Sequence, residues 1–426
     1  MTEQMNVPKL RFGEFKEHVA KPKKLGQLVD MRSGNTPSKS NSKFWEGTIP
    51  WISASSMKGN VFSESEQNVT QLALENGAKL ATKGSLLLLV RGSMLFNKIP
   101  VGFAGCDVTY NQDVKAINLK SGDDNSYLFH WFKANEYKLL SIVTGTGIGA
   151  GKLDSDELLS LPFHQPKPEE QQKIASFLSK VDEKIALLTE KKAKLTEYKK
   201  GVMQQLFDGS FQEQDGKLVF VPPTLRFKAD DGSEFPDWEE KRLGQVFTRI
   251  KRKNKENNQN VLTISAQQGL INQEKYFNKS VAAKDVTGYY LLEHGDFAYN
   301  KSYSKGYPMG AIKRLNNYDK GVVSTLYICF SLNQGFVSDF FEYYFESGLQ
   351  NKDLSKIAQE GARNHGLLNI SVDEFFKDVK LLSPSHEEQF KIANFLSAID
   401  RKIDLANSEL EKAKEWKKGL LQQMFV

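Results

Sequence analysis

Two stretches of this chain are nearly the same, and both carry a helical pattern. Residues 168–207 read PEEQQKIASFLSKVDEKIALLTEKKAKLTEYKKGVMQQLF, and residues 387–425 read EEQFKIANFLSAIDRKIDLANSELEKAKEWKKGLLQQMF. Glu169 aligns with Glu387 at an offset of 218, without a gap through Phe207 and Phe425. Ile174, Phe177, Leu178, Asp182, Lys184, Ile185, Gly201, Gln204 and Gln205 recur identically at that offset. A repeat this long is one unit built twice. Apolar residues fall at Ile174, Leu178, Val181, Ile185, Leu188, Leu195 and Val202, and again at Ile392, Leu396, Ile399, Ile403, Ala406, Leu410, Ala413 and Leu420. Steps of four and three give a seam of heptad period, flanked by Lys, Glu and Gln that suit a solvated face. Pro168 with Glu169 and Glu170 marks one start, and Ser385 with Glu388 makes a capping-box pattern at the other. Each helix spans roughly 60 Å at about 1.5 Å per residue. The duplicate is the natural partner for the exposed seam, so an intramolecular, antiparallel pair with a pseudo-two-fold axis is expected. Ile174, Leu178, Val181 and Ile185, with Ile392, Leu396, Ile399 and Ile403, are the expected pairing residues. Two amphipathic helices packed separately on two globular domains would show the same periodicity.

The duplication extends beyond the helices. Residues 7–12 read VPKLRF and residues 221–227 read VPPTLRF; Leu25-Gly26-Gln27 returns as Leu243-Gly244-Gln245 at the same offset of 218. The segments between are equal in length and mostly unlike in sequence. Their architecture still matches: strand patterns end in polar or basic loops. Trp51-Ile52-Ser53-Ala54 precedes Ser55 to Asn60, and Thr263-Ile264-Ser265-Ala266 precedes Gln267-Gln268-Gly269. The run Ser85 to Val90 precedes Arg91-Gly92-Ser93, and Asp296 to Tyr299 precedes Asn300-Lys301-Ser302-Tyr303. Val114 to Leu119 and Val322 to Phe330 read as further strands, Tyr127 to Leu140 and Phe336 to Phe345 as helices, and Gln212 to Gly216 as a polar turn. The expected fold class is α+β: two mixed α/β domains separated by two long helices that form an intramolecular antiparallel coiled coil, with a pseudo-two-fold internal repeat. The expected bounds are 1–24 (arm), 25–165 (first domain), 166–210 (central helix), 211–242 (linker and second arm), 243–383 (second domain) and 384–426 (C-terminal helix). Helices that stayed alike while the domains diverged suit a spacer carrying two readers of different targets.

Composition sets the outer bounds. A chain of 426 residues accommodates two or three domains. No apolar run approaches the roughly 20 residues a membrane helix needs, the N-terminus has no apolar signal core, and mean hydropathy is −0.48, so no membrane association is expected. Two cysteines, Cys106 and Cys329, supply no disulfide framework, which points to a reducing cytoplasm. A net charge of +6 favours an anionic partner only mildly.

Catalytic signatures are absent or broken. Gly145 to Lys152 resembles a phosphate loop, but Thr146 stands where its first glycine belongs and Leu153 where Ser or Thr should follow the lysine; a turn before the long helix is the better reading. Pro222-Pro223 lacks the Asn or Asp before it and the aromatic after it that an amino-methyltransferase would need. Pro236 to Lys241 holds the letters of a nuclease metal site, but its acids are too close together to come from two strands, and a solvated arm is expected. His18, His130, His164, His294, His365 and His386 show no metal-ligand spacing. No catalytic, cofactor or metal residue is therefore assigned. The basic loops are a better lead: Arg249, Lys251, Arg252, Lys253 and Lys255 form a run, and Lys58, Arg91, Lys98, Lys301 and Lys305 flank strands. Cations bind phosphates, and Gln, Asn and Arg read base edges.

The P-x-L-R-F arms, the Leu-Gly starts, Trp45-Glu46-Gly47-Thr48-Ile49-Pro50-Trp51-Ile52 and the E-E-Q-x-K-I-A-x-F-L helix entries together resemble the specificity subunit of type I restriction–modification enzymes. The resemblance covers essentially the whole chain; only the second domain lacks the Trp-x-Gly-x-I-P-W element. It implies two target-recognition domains, each reading one half of a split, asymmetric site in double-stranded DNA. It also implies two modification (methyltransferase) subunits docked through the helices, and restriction (translocase/nuclease) subunits beyond them. This chain would then be a non-catalytic subunit, with S-adenosylmethionine, ATP and Mg held by those partners. Ser55, Lys58, Arg91, Gln267, Gln268, Lys301 and Lys305 are the expected DNA contacts. An enzyme with an unfamiliar site of its own, and a coiled-coil scaffold without a DNA role, are the rival readings.

Overall fold

The computed structural model describes residues 8–17, 21–120, 124–147, 149–279, 285–358 and 368–425. His18, His365, the first residue of the VPKLRF motif and one residue of the run Gly145 to Lys152 lie outside them. Two compact units result: the chain through Glu190 together with the chain from Asn407 on, and Lys191–Ala406. Both long helices, Pro168–Leu206 and His386–Met424, pass from one unit into the other. Each unit therefore contains one part of each helix.

Within the first unit, Ile174, Ala175, Leu178 and Val181 share a core with Leu420, Leu421, Met424 and Phe425 from the far end of the other helix. Leu188 packs with Leu410 and Ala413. Within the second unit, Val202, Met203, Leu206 and Phe207 share a core with Ile392, Ala393, Leu396 and Ile399. The start of each helix thus meets the end of the other, and the pair is antiparallel. An ion pair marks the register in each unit: Asp182 with Lys417 in the first, Asp400 with Lys199 at 2.6 Å in the second. Asp400 and Lys417 stand 218 residues after Asp182 and Lys199, so the two bridges are one interaction built twice.

The recurring motifs brace the ends of this pair. In the first arm, the Leu10 amide donates to the Gln423 carbonyl at 2.9 Å, and Arg11 grips Glu170 through two bonds of 2.9 and 2.6 Å. In the second arm, the Leu225 amide donates to Gln205 at 3.0 Å, and Arg226 grips Glu388 at 3.0 and 3.2 Å. Each Leu-Arg arm ties the end of one helix to the start of the other. The next residue of each E-E-Q motif joins helix to domain. Gln171 accepts the amide of Asp124 at 3.1 Å and donates to the Pro166 carbonyl at 2.8 Å. Gln389 accepts the amide of Val337 at 3.0 Å and donates to Pro384 at 2.9 Å. Glu170, Gln171, Glu388 and Gln389 are all buried, where an unpaired polar group would be costly.

The Leu-Gly-Gln starts are short helical turns, Leu25–Leu28 and Leu243–Val246, whose Gln27 and Gln245 side chains accept the amides of Lys24 and Arg242. A Cβ on Gly26 would lie 3.1 Å from Leu159, and one on Gly244 3.0 Å from the Phe376 carbonyl, which accounts for glycine at both. The strands before them pair in one register: Lys24 opposite Pro162, Arg242 opposite Lys380.

Each domain is built on an antiparallel sheet of the same strand order. In the first it runs Val29–Ser33, Val114–Leu119, Leu86–Leu89, Val101–Ala104, extended by Val61–Phe62; in the second, Phe247–Arg249, Ile328–Leu332, Phe297–Asn300, Ala311–Arg314. The rest differs. Among the described residues, only the first domain has a sheet like the four-stranded one containing Trp45–Ile52, where a Cβ on Gly47 would sit 2.1 Å from the Val69 carbonyl.

Several expectations need correction. Gln212–Gln214 is not a turn but part of the strand Ser210–Gln214; the turn is Asp215-Gly216, both at positive φ, as a two-residue hairpin requires. Val322 to Phe330 is two strands, Lys320–Val323 and Ile328–Leu332. Tyr127 to Leu140 is interrupted at Asn135, giving Asn125–Ala134 and Glu136–Ser141. Only half the capping box forms: Ser385 accepts the Glu388 amide at 3.3 Å, while the Glu388 carboxylate goes to Arg226. Pro236, Asp237, Glu239 and Glu240 are exposed, as expected of a solvated arm, but the segment is also anchored. Trp238 is buried against Phe220, and Glu239–Arg242 is a strand.

One buried group breaks the pseudo-symmetry. His130 and Tyr343 are each the sixth residue of a ten-residue helix, Asn125–Ala134 and Ser338–Ser347. Tyr343 donates to Asp400 at 2.7 Å. His130 is buried with no partner for either ring nitrogen among the described residues. Burial, and then the charges of Lys417 and Lys133, push its pKa down to about 3. The unfolded imidazole binds a proton below about pH 6.5 and the folded one does not, so stability falls with pH below that point, by about 2 kcal/mol between pH 7 and pH 5. His130→Tyr is expected to remove that component, because Tyr343 at the equivalent place donates to Asp400, the counterpart of Asp182, and a phenol does not titrate in this range. Urea denaturation at the two pH values checks this; an unchanged acid slope would contradict it.

Candidate nucleic-acid interface

Strand ends set the polar loops. In the first domain Trp51 closes its strand with its indole donating to the Asn35 carbonyl at 3.2 Å and its ring edge-on to Trp45. Ser65 donates to the Trp51 carbonyl at 2.6 Å and lies 2.9 Å from the Ser56 hydroxyl. These bonds clamp two loops together, and a cleft of about 590 Å³ opens between them, lined by Ser55, Ser56, Lys58, Ser63, Glu64 and Glu66 among others. Ser55 and Lys58, both expected contacts, are exposed and share this cleft. Arg91 is exposed on the strand Arg91–Gly92, and a Cβ on Gly92 would lie 3.6 Å from Ala54. The Arg91 strand therefore adjoins the Ser55 turn.

In the second domain Gln267 and Gln268 are exposed at the tip of the hairpin formed by Leu262–Ser265 and Gly269–Asn272. Gly269, at φ +77°, makes the turn, and the Gln268 amide donates to Ser265 at 3.2 Å. Lys305 is exposed and Lys301 half-buried on the turn after Phe297–Asn300. Ala266 and Tyr307, neighbours of these two groups, pack on the same small core. The basic run is partly committed elsewhere, since Arg252 bonds Asp296 at 2.9 Å and Lys253 donates to the Gly288 carbonyl at 2.7 Å.

The pairing residues lie along the helix seams. Ile174, Leu178, Val181, Ile392, Leu396 and Ile399 are buried, and Ile185 and Ile403 half-buried. Each set packs on the far end of the opposite helix. Sequence reasoning passed over the polar braces Arg11–Glu170, Arg226–Glu388, Gln171 and Gln389, although their recurrence in both copies was a visible signal. Among the described residues no group of three or more His, Cys, Asp or Glu could hold a metal ion. Gly145 to Lys152 is a hairpin, Val143–Gly145 against Gly151–Leu153, not the strand–loop–helix of a phosphate loop.

A duplicated frame carrying two unlike sets of polar loops defines a class, and comparison with known proteins identifies it. The model of the type I restriction modification DNA specificity domain matches residues 19–197 and 236–415. The chain belongs to that family. It is 31% identical over 199 residues to the type I restriction enzyme EcoR124I/EcoR124II specificity subunit of Escherichia coli, a match covering 45% of this chain and 49% of that protein. It is 31% identical over 233 residues to the MjaIX specificity subunit of Methanocaldococcus jannaschii, covering 53% and 51%. The chain thus spans about half the length of these two curated relatives. The MjaVIII specificity subunit of the same organism is 24% identical over 442 residues, covering 95% of this chain and 91% of that one. Among solved structures, the S subunit of a type I restriction–modification system from M. genitalium has a TM-score of 0.55 at 17% identity, with 99% of each chain covered. A chain from a structure concerned with complex assembly and conformational transition of the type I R-M system has a TM-score of 0.52 at 12% identity, covering 95% and 97%. These structural likenesses are of fold.

Proposed function

We propose that this chain is the DNA-specificity subunit of a type I restriction–modification complex. Residues 25–165 and 243–383 are its two target-recognition domains, each reading one half of a bipartite, asymmetric site in double-stranded DNA. The arms (1–24 and 211–242) and the helices (166–210 and 384–426) hold them and set the spacer between the half-sites. The carrying observation is that the Leu-Arg arms, Gln plugs and Asp–Lys bridges are built twice in one geometry, while the loops they support are unlike. Equal frames with unequal loops suit a pseudo-symmetric reader of a non-palindromic site. In the first domain Ser55, Lys58 and Arg91 face the duplex; in the second, Gln267, Gln268, Lys301 and Lys305 do. Each good bidentate base contact contributes roughly 1–3 kcal/mol of discrimination.

The chain is the non-catalytic member of its complex, acting in the cytoplasm. Two methyltransferase subunits dock along the helices, and restriction subunits complete the assembly; S-adenosylmethionine, ATP and Mg belong to those partners. Exposed apolar residues repeated at the offset of 218 support two equal docking places: Leu187 and Leu405, each 59% exposed, and Tyr198 and Trp416, at 54% and 49%. The test is single-molecule mapping of methylated bases in cells carrying the chain. The expected pattern is two short determinants at one fixed separation. A register-keeping insertion of one or two helical turns near Lys191 to Lys194 is expected to lengthen the separation and leave both determinants intact. An unchanged separation would count against the helices as a ruler.

A further inference from the structure

The hairpin containing Gly145 to Lys152 has a chemistry of its own. Its second strand, Gly151–Leu153, lies between Val143–Gly145 and Arg91–Gly92 in a three-stranded sheet. Lys152 stands directly opposite Arg91 on one side and Thr144 on the other. Directly opposed residues share a face, and all three are exposed, while Gly151 and Leu153 turn inward. Two cations set side by side on neighbouring strands repel each other, so the arrangement is unfavourable on its own. Compensation within the described residues is slight. The Asp154 carboxylate lies 3.7 Å from Lys152, but its other oxygen accepts the amides of Asp156 and Glu157 at 3.0 and 3.1 Å. No carboxylate among the described residues forms an ion pair with Arg91. Beyond this pair, a Cβ on Gly145, Gly147 or Gly149 would meet nothing within 4 Å. Those three positions are therefore open on the side a Cβ would occupy.

We infer that Arg91 and Lys152 form a cross-strand clamp on the DNA sugar–phosphate backbone beside the first half-site. The inference rests on the functional reading above and refines it. Arg91 positions the duplex rather than reading a base, and Lys152 joins it. Base discrimination in the first domain is left to the adjoining cleft around Ser55 and Lys58. Phosphate relieves the repulsion between the two cations, and each neutralised phosphate releases counterions.

The test uses the full-length chain in the complex with which it purifies. Two duplexes of equal length, one carrying the sequence methylated in cells and one scrambled, are titrated between 50 and 200 mM salt. Arg91→Gln and Lys152→Gln should each reduce the slope of log K against log salt by about 0.9, and should weaken both duplexes by the same factor. Lys152→Arg should keep the wild-type slope. Weaker binding with an unchanged slope would reduce Lys152 to a structural brace, and loss confined to the methylated sequence would make it a base reader; either overturns the clamp. A wild-type complex that fails to distinguish the duplexes would instead overturn the functional reading.

Discussion

Arg226→Ala is expected to destabilise the Lys191–Ala406 unit by roughly 3–5 kcal/mol, the usual result of leaving a buried charge without its partner. Glu388 is fully buried, and both its oxygens are held by the Arg226 guanidinium. The same guanidinium donates to the Pro236 carbonyl, so its loss also frees the segment leading to Trp238. For a unit of this size, thermal unfolding should begin about 10 °C earlier, at about 2–4 °C per kcal/mol. Arg226→Met combined with Glu388→Leu removes both charges and should cost far less than the single change. Differential scanning calorimetry of the three proteins decides the matter. A single variant that melts like the wild type, or a double variant as unstable as the single, would show that the pair is not the brace described here.

The helices were legible because two independent signals agreed: a heptad seam and a gapless repeat. The pairing itself followed from the economy of burying one seam on the other. The function of the arms was not legible. Leu10 and Leu225 act through backbone amides, which leave no mark in a sequence, and Arg11 finds Glu170 only after the chain returns. The E-E-Q motif was visible as a recurrence, but its division of labour, Glu to the arm and Gln to the domain, depends on helix direction and depth of burial. Turn chemistry explains the narrower errors. Asp215-Gly216 alone satisfies a two-residue hairpin, so the polar residues before it are free to be strand.

The loops were located by their position after strands, and their composition gave no more than a class of contact. Lys152 was set aside with a phosphate-loop resemblance that fails on Thr146 and Leu153. What gives it meaning is its register against Arg91, and the pairing of strands distant in sequence cannot be read from either residue. His130 was counted among scattered histidines; its position equivalent to Tyr343 emerges only when the two ten-residue helices are superposed in order.

One frame, built twice, is proposed to hold two readers that work independently. Its most direct consequence concerns exchange of a whole domain. The braces that hold the first domain, Gln171 to Asp124, the Leu25 turn against Leu159, and the strand Pro22–Lys24 against Pro162–His164, involve backbone or recurring residues rather than the polar loops. Replacing residues 25–165 with the first domain of another family member should therefore leave the frame intact and exchange one set of loops. Mapping of methylated sites in cells carrying the exchanged chain is the decisive measurement. One half-site is expected to change completely while the other half-site and the separation stay as in the parent. Simultaneous change of both half-sites would contradict it.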